Sequence, residues 1–145
     1  MMETMTDMDS PTPINERIKV SKTFQNQLKK VFDSYILLKD DLVNDDSEAV
    51  MKNAKMVLAD LTEVDTNLLK NKNAHVHWMS FAKDIKNTAT SISNSTDIIA
   101  QRKQFKLLSS YLTSAIERFG VNEKIYQQFC PMADNNKGAY WLSKK

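Results

Sequence analysis

The sequence predicts an all-α protein: an antiparallel four-helix bundle with a C-terminal extended flap or hairpin. Three observations carry that reading. Four stretches repeat apolar residues in steps of three and four, the period of one helix face. The connections between them, at residues 43–46, 70–72 and 93–96, are short, which sets neighbouring helices antiparallel. Only 2 glycines and 3 prolines occur in 145 residues, too few for a β-sandwich with many tight turns.

Residues 1–14 read as a disordered, methionine-rich leader. They are polar, include Pro11 and Pro13, and hold Met1, Met2, Met5 and Met8, four of the 8 methionines. The spacing of Met2, Met5 and Met8 lets three thioethers wrap a soft cation, or it is a chance cluster at the chain start. Residues 15–145 form the bundle domain, with the flap from about residue 121.

The first helix is expected over about 16–42, with Phe24, Leu28, Val31, Tyr35, Leu38 and Leu42 as its stripe. The second opens at Asp45 with Glu48 three residues on, a capping-box spacing. Its stripe is Val50, Ala54, Val57, Leu61, Val64 and Leu68. The third covers about 73–91, with Trp78, Phe81, Ile85 and Ile92 in phase. Asn94 and Asp97 mark the start of the fourth, which carries Ile98, Phe105, Leu108, Leu112, Ala115 and Phe119 and meets Gly120 as a C-terminal cap. Each helix has one apolar stripe and cannot bury it alone, so the four pack together. Beyond Val121, Pro131 and residues 133–138 break regular structure, and Tyr140, Trp141 and Leu142 are expected to anchor the flap.

Composition limits function. A net charge of +2, with lysines spread among acids, offers no basic face for nucleic acid. No apolar run approaches the roughly 18 residues of a membrane span, so no direct membrane insertion is expected. The N-terminus lacks the apolar stretch of a signal peptide, which leaves a cytosolic chain or a mature or excised piece of an exported one. One cysteine rules out an internal disulfide framework. Phosphate-loop, nucleophile-elbow and zincin motifs are absent, as are the Glu-x-x-His ligands of di-iron bundles. Asp40, Asp41, Asp45 and Asp46 read as capping and solvation, since a calcium loop's glycine and spacing are missing.

The candidate ligands are soft. Cys130 and Met132 put a thiol and a thioether two residues apart in a non-helical segment, a pair that selects Cu(I) or Ag(I) over Zn(II). The competing reading of Cys130 is a small buried hydrophobe. His75 and His77 would share a face of a strand, but on a helix they stand about 200 degrees apart and cannot hold one ion. His75 and Met79 do share a helical face; the default for His75 is a hydrogen-bonded histidine at the bundle edge, and for His77 a solvated one. A Cys130–His75 nucleophile pair lacks an orienting third group, so no enzyme is expected.

Several segments together resemble a known family. They are Ala74-His75-x-x-Trp78-Met79, Gln101-Arg102-x-x-Phe105-x-x-Leu108-Ser109, Cys130-Pro131-Met132-Ala133 and Gly138-Ala139-Tyr140-Trp141-Leu142-Ser143, in that order. Over about residues 23–143 the chain resembles an uncharacterised bacterial domain, mainly of Bacteroidetes. That domain occurs as small exported proteins and at the C-terminus of periplasmic adaptor subunits of heavy-metal efflux pumps. The resemblance implies a helical domain, a periplasmic location, other efflux-pump components as partners, and a link to copper or silver export. Members continue past Trp-Leu-Ser with an Asn-Pro-Tyr segment and a methionine followed by a second cysteine, whereas this sequence ends at Lys145. The expectation is a non-enzymatic module that binds or hands over Cu(I) or Ag(I), with Zn(II) held less selectively and no metal needed for folding. The alternative is a purely structural interaction domain of the adaptor.

Overall fold

The computed structural model describes residues 4–7, 17–130 and 138–144. The elements run β1 (Thr4–Asp7), α1 (Lys22–Val43), α2 (Ser47–Thr62), a 3₁₀ turn (Thr66–Leu68), α3 (Lys72–Ser93), α4 (Ile98–Phe119), β2 (Tyr126–Cys130) and β3 (Ala139–Ser143). α1 packs on α2, α2 on α3 and α3 on α4, and α4 closes back onto α1. The result is the expected all-α four-helix bundle with a C-terminal hairpin. Among the described residues, no helix is long and apolar enough to cross a membrane.

Each helix starts where a side chain caps free backbone N–H groups. Ser21 Oγ accepts from Phe24 N–H at 3.1 Å, Asn71 Oδ1 from Asn73 at 2.8 Å, and Asp97 Oδ1 from Ile99 at 3.1 Å. The second helix corrects one expectation, because its cap is Asp46, which accepts from Ala49 N–H at 3.1 Å. Asp45 adopts a left-handed turn conformation (φ 54) and pairs with Arg102, so it cannot cap α2, and the box with Glu48 does not form.

The first stripe is buried as expected: Phe24, Leu28, Val31, Tyr35, Leu38 and Leu42 all face the core. Phe32 and Ser34 join them. The second stripe reaches further than its helix. α2 ends at Thr62, and Val64 is buried from the loop beyond it. Asp65 interrupts the helix: its N–H donates to Gln27 of α1 at 2.8 Å, and its carboxylate accepts from Asn67 N–H at 2.9 Å. Trp78, Ile85, Ile92, Phe105, Leu108, Leu112, Ala115 and Phe119 are buried, whereas Phe81 and Ile98 are only partly covered.

At one end of the bundle, edge-to-face rings join three helices. Phe24 meets Trp78 at 5.2 Å and Phe119 at 5.4 Å, and Trp78 meets Phe119 at 5.9 Å. Near mid-bundle, Tyr35 stacks on Phe105 at 4.8 Å and 15°.

The three strands form one antiparallel sheet in the order β1-β2-β3. Four residues of the leader, expected to lack regular structure, thus form an edge strand. The rest of the leader, residues 1–3 and 8–16, lies outside the described residues. Of the three expected flap anchors, Leu142 is fully buried and Trp141 packs against the core. Tyr140 is exposed and instead meets Phe129, ring to ring, at 4.7 Å.

Candidate functional site

The place where the hairpin meets α1 and α4 gathers much of the chain's buried polar chemistry. Tyr35, in the apolar stripe of α1, brings a hydroxyl into the core, and a buried hydroxyl requires partners. It finds Ser109 Oγ of α4 at 2.7 Å and accepts from the Leu142 N–H of β3 at 3.0 Å. Burial pushes the Tyr35 pKa far up, against smaller opposing effects of Ser109 and Leu142. At neutral pH the phenol is therefore a hydrogen-bonding clamp and not an acid or base.

Lys39, one turn along α1, donates to Leu142 C=O at 3.1 Å. Partial burial lowers its pKa, and Asp40 pulls it back up. Lys144, past the end of β3, pairs with Asp33 at 2.8 Å, and that hydrogen bond raises its pKa. Lys29 reaches Glu123, before β2, at 3.5 Å. Bonds and ion pairs from α1 thus hold both sides of the hairpin.

The far end of α4 is tied in a similar way. Gln101 is fully buried, and its amide donates to Ser95 C=O at 2.7 Å and Ser47 C=O at 3.2 Å, joining the starts of α2 and α4. Arg102 donates to Leu42 C=O at 2.9 Å, at the end of α1, and to Asp45.

The soft-ligand candidates are placed as follows. His75 and Met79 are exposed on α3, one turn apart, so they share a face, and His77 is half-buried on another side. The helix keeps the two histidines from acting as one pair, as the spacing required. Cys130 is the last residue of β2, paired with Ala139. Met132, Met2 and Met8 lie outside the described residues. Met5 lies in β1 opposite Gln128, two positions from Cys130. Among the described residues, no three His, Cys, Asp or Glu side chains converge as a metal group.

The sequence reading missed Tyr35 as a polar clamp, Lys39 as its neighbour and Gln101 as a buried amide. A signal existed for the first: a tyrosine inside an otherwise aliphatic and phenylalanine stripe must place its hydroxyl somewhere.

A family model described as protein of unknown function (DUF3347) matches residues 31–124. The chain belongs to that family. The matched region runs from the middle of α1 to just before β2, so it holds Tyr35, Lys39, Gln101, Arg102, Phe105 and Ser109 but not the hairpin. No curated protein and no solved structure matches the chain.

Proposed function

We propose that this domain is a non-enzymatic periplasmic module of a copper or silver efflux system that binds or hands over a soft cation. The observation that carries the reading is the register of the hairpin. Cys130 closes β2 opposite Ala139, directly before the segment that contains Met132. A thiolate and a thioether at that place suit Cu(I) or Ag(I) and hold the borderline Zn(II) with less selectivity. The hairpin that carries Cys130 is pinned to α1 at Leu142 and Lys144, through Tyr35, Lys39 and Asp33. Pairing of β1 with β2 sets Met5 opposite Gln128 in the register, two residues before Cys130 in the chain. His75 and Met79 offer an imidazole and a thioether on α3, and Met2 and Met8 extend the supply of thioethers along the leader. The resemblance to bacterial efflux-adaptor domains, chiefly of Bacteroidetes, supports the periplasmic setting and other pump components as partners.

One observation favours a second reading, a structural interaction domain without a metal site. Gln101, Arg102, Phe105, Ser109 and Leu142, which carry much of the resemblance, act as internal ties and packing. Residues used in that way preserve a shape, and the shape itself would then be what a partner recognises.

Competition titration against a colorimetric Cu(I) chelator separates the two. Wild type is expected to take Cu(I) far more tightly than Zn(II), and Cys130→Ser to weaken Cu(I) binding steeply, because a hydroxyl replaces the thiolate. Equal Cu(I) affinity in the two proteins would reject the Cys130 site, and Cu(I) binding by neither would favour the interaction domain.

A further inference from the structure

Leu142 fixes the direction of the backbone groups throughout the sheet. Its N–H donates to Tyr35 Oη at 3.0 Å and its C=O accepts from Lys39 Nζ at 3.1 Å. Both groups point away from β2, so Leu142 and its partner Gln127 form a pair without mutual hydrogen bonds. Direction alternates along an antiparallel strand. The N–H and C=O groups of Gln127 and Phe129 therefore turn to the other side of β2, and those of Tyr126 and Gln128 turn toward β3. On that other side lies β1, with Thr6 opposite Gln127 and Thr4 opposite Phe129.

The two edges of the hairpin are thus treated differently. At Leu142 the β3 edge is closed by bundle side chains, Tyr35 and Lys39. The β2 edge meets a short strand from the start of the chain. An edge of this kind is a template for another extended segment. The segment that fills it is polar, Thr-Met-Thr-Asp, and has no apolar stripe with which to dock on the helices. Its threonines suit a strand, and main-chain pairing supplies the attraction.

We infer that the β2 edge is a strand-acceptor site whose ligand is the chain's own leader segment, Thr4–Asp7, docked reversibly through its backbone. The inference does not depend on metal binding. At four residues the bound strand lies at the short end of the range for strands, so it exchanges in place of being fixed. Its docking draws the start of the chain alongside the hairpin.

Amide hydrogen exchange on the full-length protein tests this residue by residue. Gln127 and Phe129 report on β1, and Gln128 reports on the hairpin itself. In a chain lacking residues 1–10, Gln127 and Phe129 are expected to exchange at least about tenfold faster, with Gln128 unchanged. Adding a peptide of residues 1–10 restores their protection. Thr6→Pro in the full-length chain removes the N–H that donates to Gln127 C=O without shortening anything, and by weakening the pairing is expected to speed exchange at Gln127 and Phe129. Unchanged protection in both variants overturns the proposal, as does a peptide that restores nothing. Protection that persists in the shortened chain and grows with protein concentration also overturns it, by assigning the edge to a second copy.

Discussion

The Tyr35 hydroxyl lies buried between Ser109 Oγ and the Leu142 amide, where an ionised phenol would be a charge without water. Its pKa is raised well above the ordinary value of 10.0, chiefly by that burial. The consequence has a definite sign. Above the ordinary value the unfolded chain gives up this proton and the folded chain keeps it, so the unfolded state binds fewer protons and stability falls as pH rises. Below that value the contribution is fully present. Lys144, raised by its bond to Asp33, adds an alkaline loss of the same sign. Tyr35→Phe is expected to lower stability near neutrality by about 1–3 kcal/mol, because the Leu142 N–H and Ser109 lose a buried partner. It is also expected to flatten the alkaline decline, leaving the loss due to Lys144 and the opposite, rising contribution of Lys39, whose pKa burial lowers. Urea unfolding of both proteins at neutral pH and above pH 10 reads the two effects. Parallel declines would mean that the Tyr35 phenol is not held back from ionising.

At the level of elements, the end of α4 shows which features local sequence encodes and which depend on distant contacts. Gly120 was legible as a C-cap from its place after the last apolar step. Its conformation, φ 77 and ψ 165, belongs to a region that is essentially glycine-only. What lies against it was not legible: an added Cβ would stand 2.5 Å from Arg17 Nη1 and 3.0 Å from Gln25 Nε2. Gln25 Nε2 in turn donates to Phe119 C=O at 2.8 Å, and Ile18 N–H to Arg118 C=O at 2.7 Å, so the chain before α1 is laced to the end of α4. Gly120→Ala is expected to cost about 1–3 kcal/mol in urea unfolding, from backbone strain and the displaced side chains. A change within a few tenths would show that the segment before α1 yields freely. The same contrast runs through the chain. The stripes of α1, α3 and α4 could be read because helical periodicity is a local property. The end of α2 could not, because Leu61, Val64 and Leu68 keep the spacing while Asp65 turns the backbone toward Gln27. β1 could not, because three polar residues and one methionine are too short a run to mark a strand, and their partner strand begins at Tyr126. Within the candidate site, the separation of His75 from His77 followed from the helix alone. The Tyr35–Ser109–Leu142 clamp joins three remote parts of the sequence.

For the molecule as a whole, the question is what supplies the driving force for folding. The described core draws on all four helices together with Ile125, just before the hairpin, and Leu142 within it, and it contains no histidine, cysteine or methionine. Burial of that apolar surface is the dominant favourable term. Under the efflux reading, a metal is therefore expected to bind an already folded domain. The metal-free domain, kept so by a Cu(I) chelator, is expected to stay folded and to unfold in a cooperative thermal transition. A chelator that melts the domain would make the metal structural, since binding energy would then be folding energy. Adding Ag(I) reads the opposite direction of the same linkage. A ligand that binds only the folded state stabilises it by about 2.7 kcal/mol at a hundredfold excess over its Kd. Wild type is expected to gain stability on that scale and Cys130→Ser to gain little. If both gain equally, the ion is held elsewhere, and the His75 and Met79 pair on α3 becomes the place to substitute next. If neither gains, the metal reading falls and the interaction-domain reading is the one to test.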